Sequence, residues 1–387
     1  MTAARITGSW IRDPAAQSVC LMLTNAGYEA HFVGGCVRNA LIGAPISDLD
    51  VATNARPETV TILAQSAGFQ AIPTGIEHGT VTVVLDKIPF EVTTWRRDVE
   101  TDGRRAVVAF ADRLDEDARR RDFTMNALYA TPDGTVVDPL GGLIDLEARR
   151  VRFIDDAAAR IREDYLRILR FFRFHAWYGD PTGGLDPEAL AAISELSGGI
   201  ETLSRERVGA EMVKLLAAPD PAPAIAVMDR TGVLHRVMEG LDPAALPLLV
   251  HFEGLLRVAP DSMRRLAVLG GCDHKDSFRL SKAQDRHLQV LLEHRGSPKT
   301  PAALGYKLGK ARARDVVLMN AALLESPPHP RDLKEIAHGA RAQFPVVAGD
   351  LIPDHEGAAL GAKLKELEDR WIASGFELTR DDLLRNQ

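Results

Sequence analysis

Two glycines, an arginine and two aspartates carry the first chemical suggestion in this chain. Gly34-Gly35-Cys36-Val37-Arg38 is followed ten residues later by Asp48-Leu49-Asp50. The segment SDLDVAT, residues 47–53, alternates polar and apolar positions as a half-buried strand does. That would set the Asp48 and Asp50 carboxylates side by side on one face. Like charges that close repel unless a cation lies between them, and Mg²⁺, which seeks carboxylate and phosphate oxygens, is the natural occupant. Paired glycines let backbone N–H groups approach and cradle a triphosphate, with Arg38 as a charge-assisted clamp. A DxD pair alone is more often a solvated strand edge; its combination with the glycine turn is what points to a nucleotide. Neither GxxxxGK[ST] nor a strand-linked GxGxxG occurs, which removes support from P-loop and dinucleotide-binding folds.

Two later stretches add polar groups suited to the rest of a nucleotide. RRDFTMNA, residues 120–127, offers cations for phosphates and side chains for sugar hydroxyls, although Asp122 could simply cap a helix. In EDYLRILRFFRF, residues 163–174, Asp164, Arg167, Arg170 and Arg173 recur at three-residue steps, so successive members are neighbours on a helix. An Asp–Arg pair presents acceptors and planar donors that can match a base edge. Taken alone it reads as a surface ion pair of small value, beside Phe171, Phe172 and Phe174 in a core.

The elements that would position these groups are mixed at first and helical afterwards. Residues 15–27 read as an amphipathic helix ending at Gly27, HFVGG (31–35) as a strand entering a glycine turn, and residues 57–67 as a helix. The segment GTVTVVLDKIPFEVTTWRR (79–97) has two β-branched runs around Asp86-Lys87, a hairpin pattern that puts Glu91 in its second arm. Residues 98–117 are polar and charged and read as a mobile loop turning at Asp102-Gly103. Beyond about residue 155 the pattern is helical almost throughout, with no internal repeat.

Bulk properties set limits. A chain of 387 residues predicts two to four folding units, and 45% hydrophobic with 26% charged residues is ordinary for a globular protein. No run of eighteen apolar residues suggests a membrane span, and the first residues lack the apolar core of a secretion signal. Three widely spaced cysteines (Cys20, Cys36 and Cys272) offer no zinc pattern and predict a reducing, cytoplasmic setting. The net charge of −7 argues against a nucleic-acid partner on average, while local Arg/Lys clusters such as 119–121, 149–152 and 167–173 leave room for one.

The stretch GGCVRNALIGAPISDLDVAT resembles the signature of the class II tRNA nucleotidyltransferase and bacterial poly(A) polymerase family. Family-like blocks follow in order: RRDFTMNA resembles the ribose-recognising motif, DPLGG (138–142) the hinge, EDYLRILR (163–170) the nucleotide-selecting helix, and SRER (204–207) the start of the last motif. The resemblance implies an α+β fold: a polymerase-beta-like nucleotidyltransferase head with a mixed sheet over 1–150, a helical neck over 151–218, and a helical body and tail over 219–387. It implies template-independent addition of CCA to tRNA from CTP and ATP, with two Mg²⁺ ions on Asp48 and Asp50. Gly35, Arg38, Arg121, Asp122 and Asn126 would hold phosphates and sugar. Asp164 and Arg167 would read the base with Arg170 and Arg173 in support, and Glu91 is the candidate third carboxylate. Asn39 departs from the family, which usually has aspartate there; an amide can still hydrogen-bond. Poly(A) addition, A-only or CC-only addition, and an inactive tRNA-binding protein are the alternatives, and a monomer or homodimer is open.

Overall fold

The computed structural model describes residues 4–102, 105–352 and 354–385. The chain divides into two compact units, Met1–Leu215 with Pro223–Val237, and Leu216–Ala222 with Met238–Gln387.

The first unit opens with α1 (Pro14–Thr24). Asp13 caps it by accepting from the amides of Ala15 and Ala16 at 2.9 and 3.1 Å, and Pro14 fills the first helical position. Then come β1 (Ala30–Val33), α2 (Gly35–Ile42), β2 (Asp50–Thr53), α3 (Pro57–Ser66), β3 (Gln70–Gly75), β4 (Thr80–Leu85) and β5 (Ile88–Thr94). The chain continues through β6 (Arg96–Asp102), β7 (Arg105–Phe110), α4 (Leu114–Arg119), β8 (Tyr129–Ala130), β9 (Val136–Val137) and α5 (Gly142–Glu147). Seven strands form one sheet in the order β3-β4-β5-β2-β1-β8-β9. Within it β2 and β5 run parallel and the other pairs antiparallel, so the sheet is mixed as expected.

The β4–β5 hairpin turns at Asp86-Lys87, both at positive φ (52° and 68°), as a two-residue turn compatible with strand twist requires. Two expectations need correction. Residues 98–117 are not an irregular loop: β6 and β7 pair antiparallel and α4 follows, with the tip at 103–104 outside the described residues. The second is the strand around Asp48, which begins only at Asp50. β1 pairs with β2 from Ala30↔Thr53 to Phe32↔Val51 and then turns away at Gly34, and the parallel ladder of β2 with β5 begins at Asp50↔Glu91.

Helices complete this unit: α6 (Ala157–Glu163), α7 (Leu166–Tyr178), α8 (Pro187–Leu196), α9 (Arg205–Leu216), α10 (Ala222–Arg230) and α11 (Val233–Val237). Phe171 and Phe174 of α7 pack on Phe123, with centroids 6.3 and 5.0 Å away, and Phe171 stacks on Phe153 at 5.7 Å. This aromatic cluster fixes α7 against the RRDFTMNA stretch and so sets where its polar face points.

The second unit is helical: α12 (Leu246–Leu255), α13 (Ser262–Leu269), α14 (His274–Phe278), α15 (Lys282–Glu293), α16 (Pro301–Leu323), α17 (Pro330–Gly339), α18 (Gly357–Ala373) and α19 (Arg380–Leu384). Its core holds two buried arginines. Glu253 receives Arg264 on one carboxylate oxygen at 2.6 and 2.9 Å and Arg265 on the other at 2.7 and 3.1 Å. Arg264 also reaches Asp315 at 2.6 Å, and Arg265 donates to the carbonyls of Leu216, Ala218 and Pro219. Among the described residues no helix is long and apolar enough to cross a membrane.

Removing one partner of a buried ionic network leaves uncompensated charge. Glu253→Ala should therefore cost about 3–5 kcal/mol by urea unfolding. A loss under about 1 kcal/mol would show that water reaches these arginines.

Candidate nucleotide site

The glycine turn forms where β1 passes into α2. Gly34 has φ 71° and ψ −118°, a conformation that side chains disfavour, and a Cβ there would stand 3.4 Å from Nη1 of Arg121. The start of α2 beside it carries the free N–H groups of a first helical turn, which favour an anion. Both glycines line a cavity of about 450 Å³ together with Asp50, Asp122, Asn126 and Asp164. Six arginines (Arg38, Arg120, Arg121, Arg167, Arg170 and Arg207) face the same cavity against three aspartates, so its walls carry an excess of positive charge.

Each guanidinium is fixed by a partner. Arg121 donates from Nε to the Tyr129 hydroxyl at 3.1 Å and from Nη2 to Asp117 at 3.0 Å. Asp117 is 1% exposed and also accepts from Tyr129 at 2.7 Å and Arg120 at 2.8 Å. Burial alone would raise its carboxyl, but Arg121 and Arg120 hold it far below the usual range. Arg170 donates to Asp122 at 2.7 Å, while Asp122 accepts the Asn126 amide at 2.9 Å on its other oxygen. Against burial, those partners hold Asp122 down to about 2.

Arg38 continues this chain of bonds. It donates to the Asn126 carbonyl oxygen, to Asn39 at 2.9 and 3.1 Å and to the Tyr178 hydroxyl at 2.9 Å, and its guanidinium lies 3.9 Å from the Tyr178 ring centroid. These bonds take up all but one of its N–H groups. Asn39 explains its own departure from aspartate. Its amide oxygen accepts from Arg38 and its amide nitrogen donates to the Pro45 carbonyl at 2.7 Å, a bond that a carboxylate cannot make.

On the helical side, Asp164 sits between α6 and α7. Its carboxylate accepts the Leu166 amide at 3.1 Å and Arg207 at 2.6 Å. Arg167 donates to the Arg160 carbonyl at 2.8 Å and pairs with Glu163. The side chains of Asp164 and Arg167 therefore face one cavity on separate partners, while the Arg167 amide donates to the Asp164 carbonyl at 3.0 Å. Arg173 points elsewhere, to Glu211 at 2.5 Å, and does not line the cavity.

The carboxylates of the head meet on the sheet. Asp50 and Glu91 are partners in the parallel β2–β5 ladder, so their side chains leave the same face. Asp48 lies exposed in the preceding loop, held by the Ser47 hydroxyl at 2.8 Å. The Asp50 carboxyl is pushed up to about 6, by its burial first and then by Glu91 and Asp48, with Arg121 pulling the other way. Asp117 and Tyr129 were not singled out from the sequence, and Glu163 and Arg207 stood there only as members of motif blocks without a role. Their signals, a carboxylate four residues before Arg121 and an arginine in the last block, mean little until the fold brings them together.

Residues 30–152 match the profile of the poly A polymerase head domain, and residues 184–245 that of the "Probable RNA and SrmB- binding site of polymerase A". The human mitochondrial CCA tRNA nucleotidyltransferase 1 is 32% identical over 390 residues, covering 95% of this chain and 88% of the human protein. The CCA-adding enzyme of Geobacillus thermodenitrificans is 40% identical over 220 residues, 56% of this chain and 53% of its own length. Among solved structures, the Bacillus stearothermophilus CCA-adding enzyme in complex with CTP superposes with a TM-score of 0.74 at 30% identity, covering 93% of this chain and 92% of that one. The Thermotoga maritima CCA-adding enzyme complexed with tRNA shares the fold, with a TM-score of 0.71 at 17% identity. Fold and site together define a nucleotidyltransferase built on a polymerase-like head. The chain belongs to the class II CCA-adding tRNA nucleotidyltransferase family.

Asp50 also sets a stability cost. With its folded value raised above the unfolded one, the folded state holds the proton more tightly. The contribution favours folding below about pH 4 and is lost as pH rises through about 6. In metal-free buffer at pH 7.5, Asp50→Asn should stabilise the protein by on the order of 1–3 kcal/mol, a gain that vanishes near pH 4. An unchanged or lower melting temperature at pH 7.5 would contradict the charge crowding.

Proposed function

We propose that this protein adds CMP, CMP and AMP to the 3′ end of tRNA, using CTP and ATP and releasing pyrophosphate. The observation that carries the reading is a single cavity that brings together the glycine turn, Asp50, the Arg121-Asp122-Asn126 cluster and the Asp164/Arg167 edge. Its excess of guanidinium groups suits a triphosphate.

Mg²⁺ fits the residues present. Among the described residues no three His, Cys, Asp or Glu side chains gather tightly enough to hold an ion unaided. Mg²⁺ commonly needs only one or two carboxylates, completing its shell with water and substrate phosphates. Asp50, crowded by Glu91 and Asp48, lacks a full counter-charge of its own. Asp48 and Asp50 would hold two ions, with Glu91 as a third carboxylate beside them. Bound there, the metal would neutralise charge on the leaving pyrophosphate and acidify the attacking hydroxyl.

The chain's own residues do the rest. The Gly34-Gly35 backbone and Nη1 of Arg121 hold the phosphates. Arg38 orients Asn126, and Asn126 with Asp122 addresses the ribose hydroxyls. Asp164 and Arg167 meet the base edge, and Arg170 and Arg173 brace that helix through Asp122 and Glu211. The primer 3′-oxygen forms the new bond to the α-phosphorus as the α–β anhydride breaks. We place the tRNA grip on the helical body and tail, residues 219–387, and the work in the cytoplasm, where three free cysteines stay reduced.

The test is to incubate the protein with tRNA ending at the discriminator base, supply CTP and ATP separately and together, and sequence the 3′ ends. CC with CTP alone and CCA with both are expected; a run of adenosines would make it a poly(A) polymerase. Asp48→Ala and Asp50→Ala should each lower incorporation by at least about a hundredfold while tRNA affinity holds. Turnover within a few-fold of wild type in either variant would contradict the metal assignment.

A further inference from the structure

Arg207 lies on α9, far in sequence from the Asp164 it touches. Asp164 occupies the joint between α6 and α7 in extended backbone (φ −157°, ψ 106°), where neither helix fixes its side chain. Two contacts fix it instead, the Leu166 amide on Oδ1 and Nη2 of Arg207 on Oδ2 at 2.6 Å. Both side chains face the cavity and remain about a quarter exposed, 22% for Asp164 and 26% for Arg207, so the carboxylate keeps acceptor capacity for a ligand.

We infer that Arg207 is a specificity-positioning residue: it pins the Asp164 carboxylate so that this edge of the cavity accepts only bases carrying an exocyclic amino group. The inference rests on the reading of Asp164 as a base-contacting residue. Cytosine and adenine present N4 and N6 amino donors, whereas uracil and guanine present carbonyl oxygens at the corresponding places. An ionised carboxylate accepts and never donates. Held still, it rewards an amino group and repels a carbonyl. Freed from Arg207, it keeps one anchor and can swing aside, letting a carbonyl-bearing base enter without an opposed acceptor. A lysine retains the cation without the planar fork, so it restrains the carboxylate less well. Arg207 contacts Asp164 and not the reacting atoms, so its loss changes the choice of nucleotide more than the chemical step.

The test measures kcat/KM for CTP, UTP, ATP and GTP on a tRNA primer, using the full-length wild type, Arg207→Gln, Arg207→Lys and Asp164→Ala, with thermal melts alongside. Arg207→Gln should lower the CTP/UTP and ATP/GTP ratios by about tenfold or more, with Arg207→Lys between it and wild type. If Arg207→Gln does not fold, the ratios of Arg207→Lys decide. Should the Arg207 variants lose only rate, with ratios intact, while Asp164→Ala collapses the ratios, the role of Arg207 is overturned and the reading of Asp164 stands. If Asp164→Ala also keeps wild-type ratios, the base reading fails and the role of Arg207 falls with it.

Discussion

Six guanidinium groups around one cavity repel one another, and much of the first unit answers to that constraint. Arg120 and Arg121 share the buried Asp117, Arg170 takes Asp122, Arg207 takes Asp164, and Arg167 takes Glu163. Arg38 pairs with no carboxylate among the described residues and is held by two asparagine oxygens, a tyrosine hydroxyl and an aromatic face. Charge-assisted, planar contacts of this kind fix direction as well as position. The cavity keeps a net positive wall without collapsing or scattering its side chains. Preorganised charge of this sort acts on a phosphoryl group with little rearrangement at the moment of reaction.

The constraint couples parts of the first unit that are distant in sequence. Asp122 reaches across to α7, Arg38 leans on the end of the same helix, and Asp164 is steadied from α9. The Phe123, Phe153, Phe171 and Phe174 cluster gives these polar bonds a rigid apolar floor. A shift of α7 would disturb the contacts of Asp122, Arg38 and Arg167 together. The second unit solves its own version of the problem around Glu253, where Arg264 and Arg265 are buried. There the same pairing chemistry is structural.

The sequence made legible those parts of the site that are local. Gly34-Gly35 reads as a turn, and Gly34 takes the positive φ that suits glycine, while RRDFTMNA and EDYLRILR carried their polar groups within a few residues of one another. The mixed head and helical remainder followed from period and composition. The groups of long sequence separation stayed hidden. Asp117 reads as one acid among several in LDEDAR, and only its burial under Tyr129 and two arginines gives it meaning. Alternation over SDLDVAT predicted a strand three residues too long, because the ladder of β2 with β5 ends at Asp50↔Glu91. The polar composition of 98–117 suggested a loop, yet backbone pairing between β6 and β7 overrode it, as tertiary context commonly does.

The central claim is that this charge-organised cavity holds a metal-bound nucleoside triphosphate, with its cation at Asp50 and its base at Asp164. The most direct measurement is anomalous diffraction from crystals grown with CTP and Mn²⁺ in place of Mg²⁺. The account predicts an anomalous peak held by the Asp50 and Asp48 carboxylates, phosphates against Gly35 and Arg121, and the cytosine amino group facing Asp164. Manganese density bound elsewhere with Asp50 untouched, or a base directed away from Asp164, would contradict it.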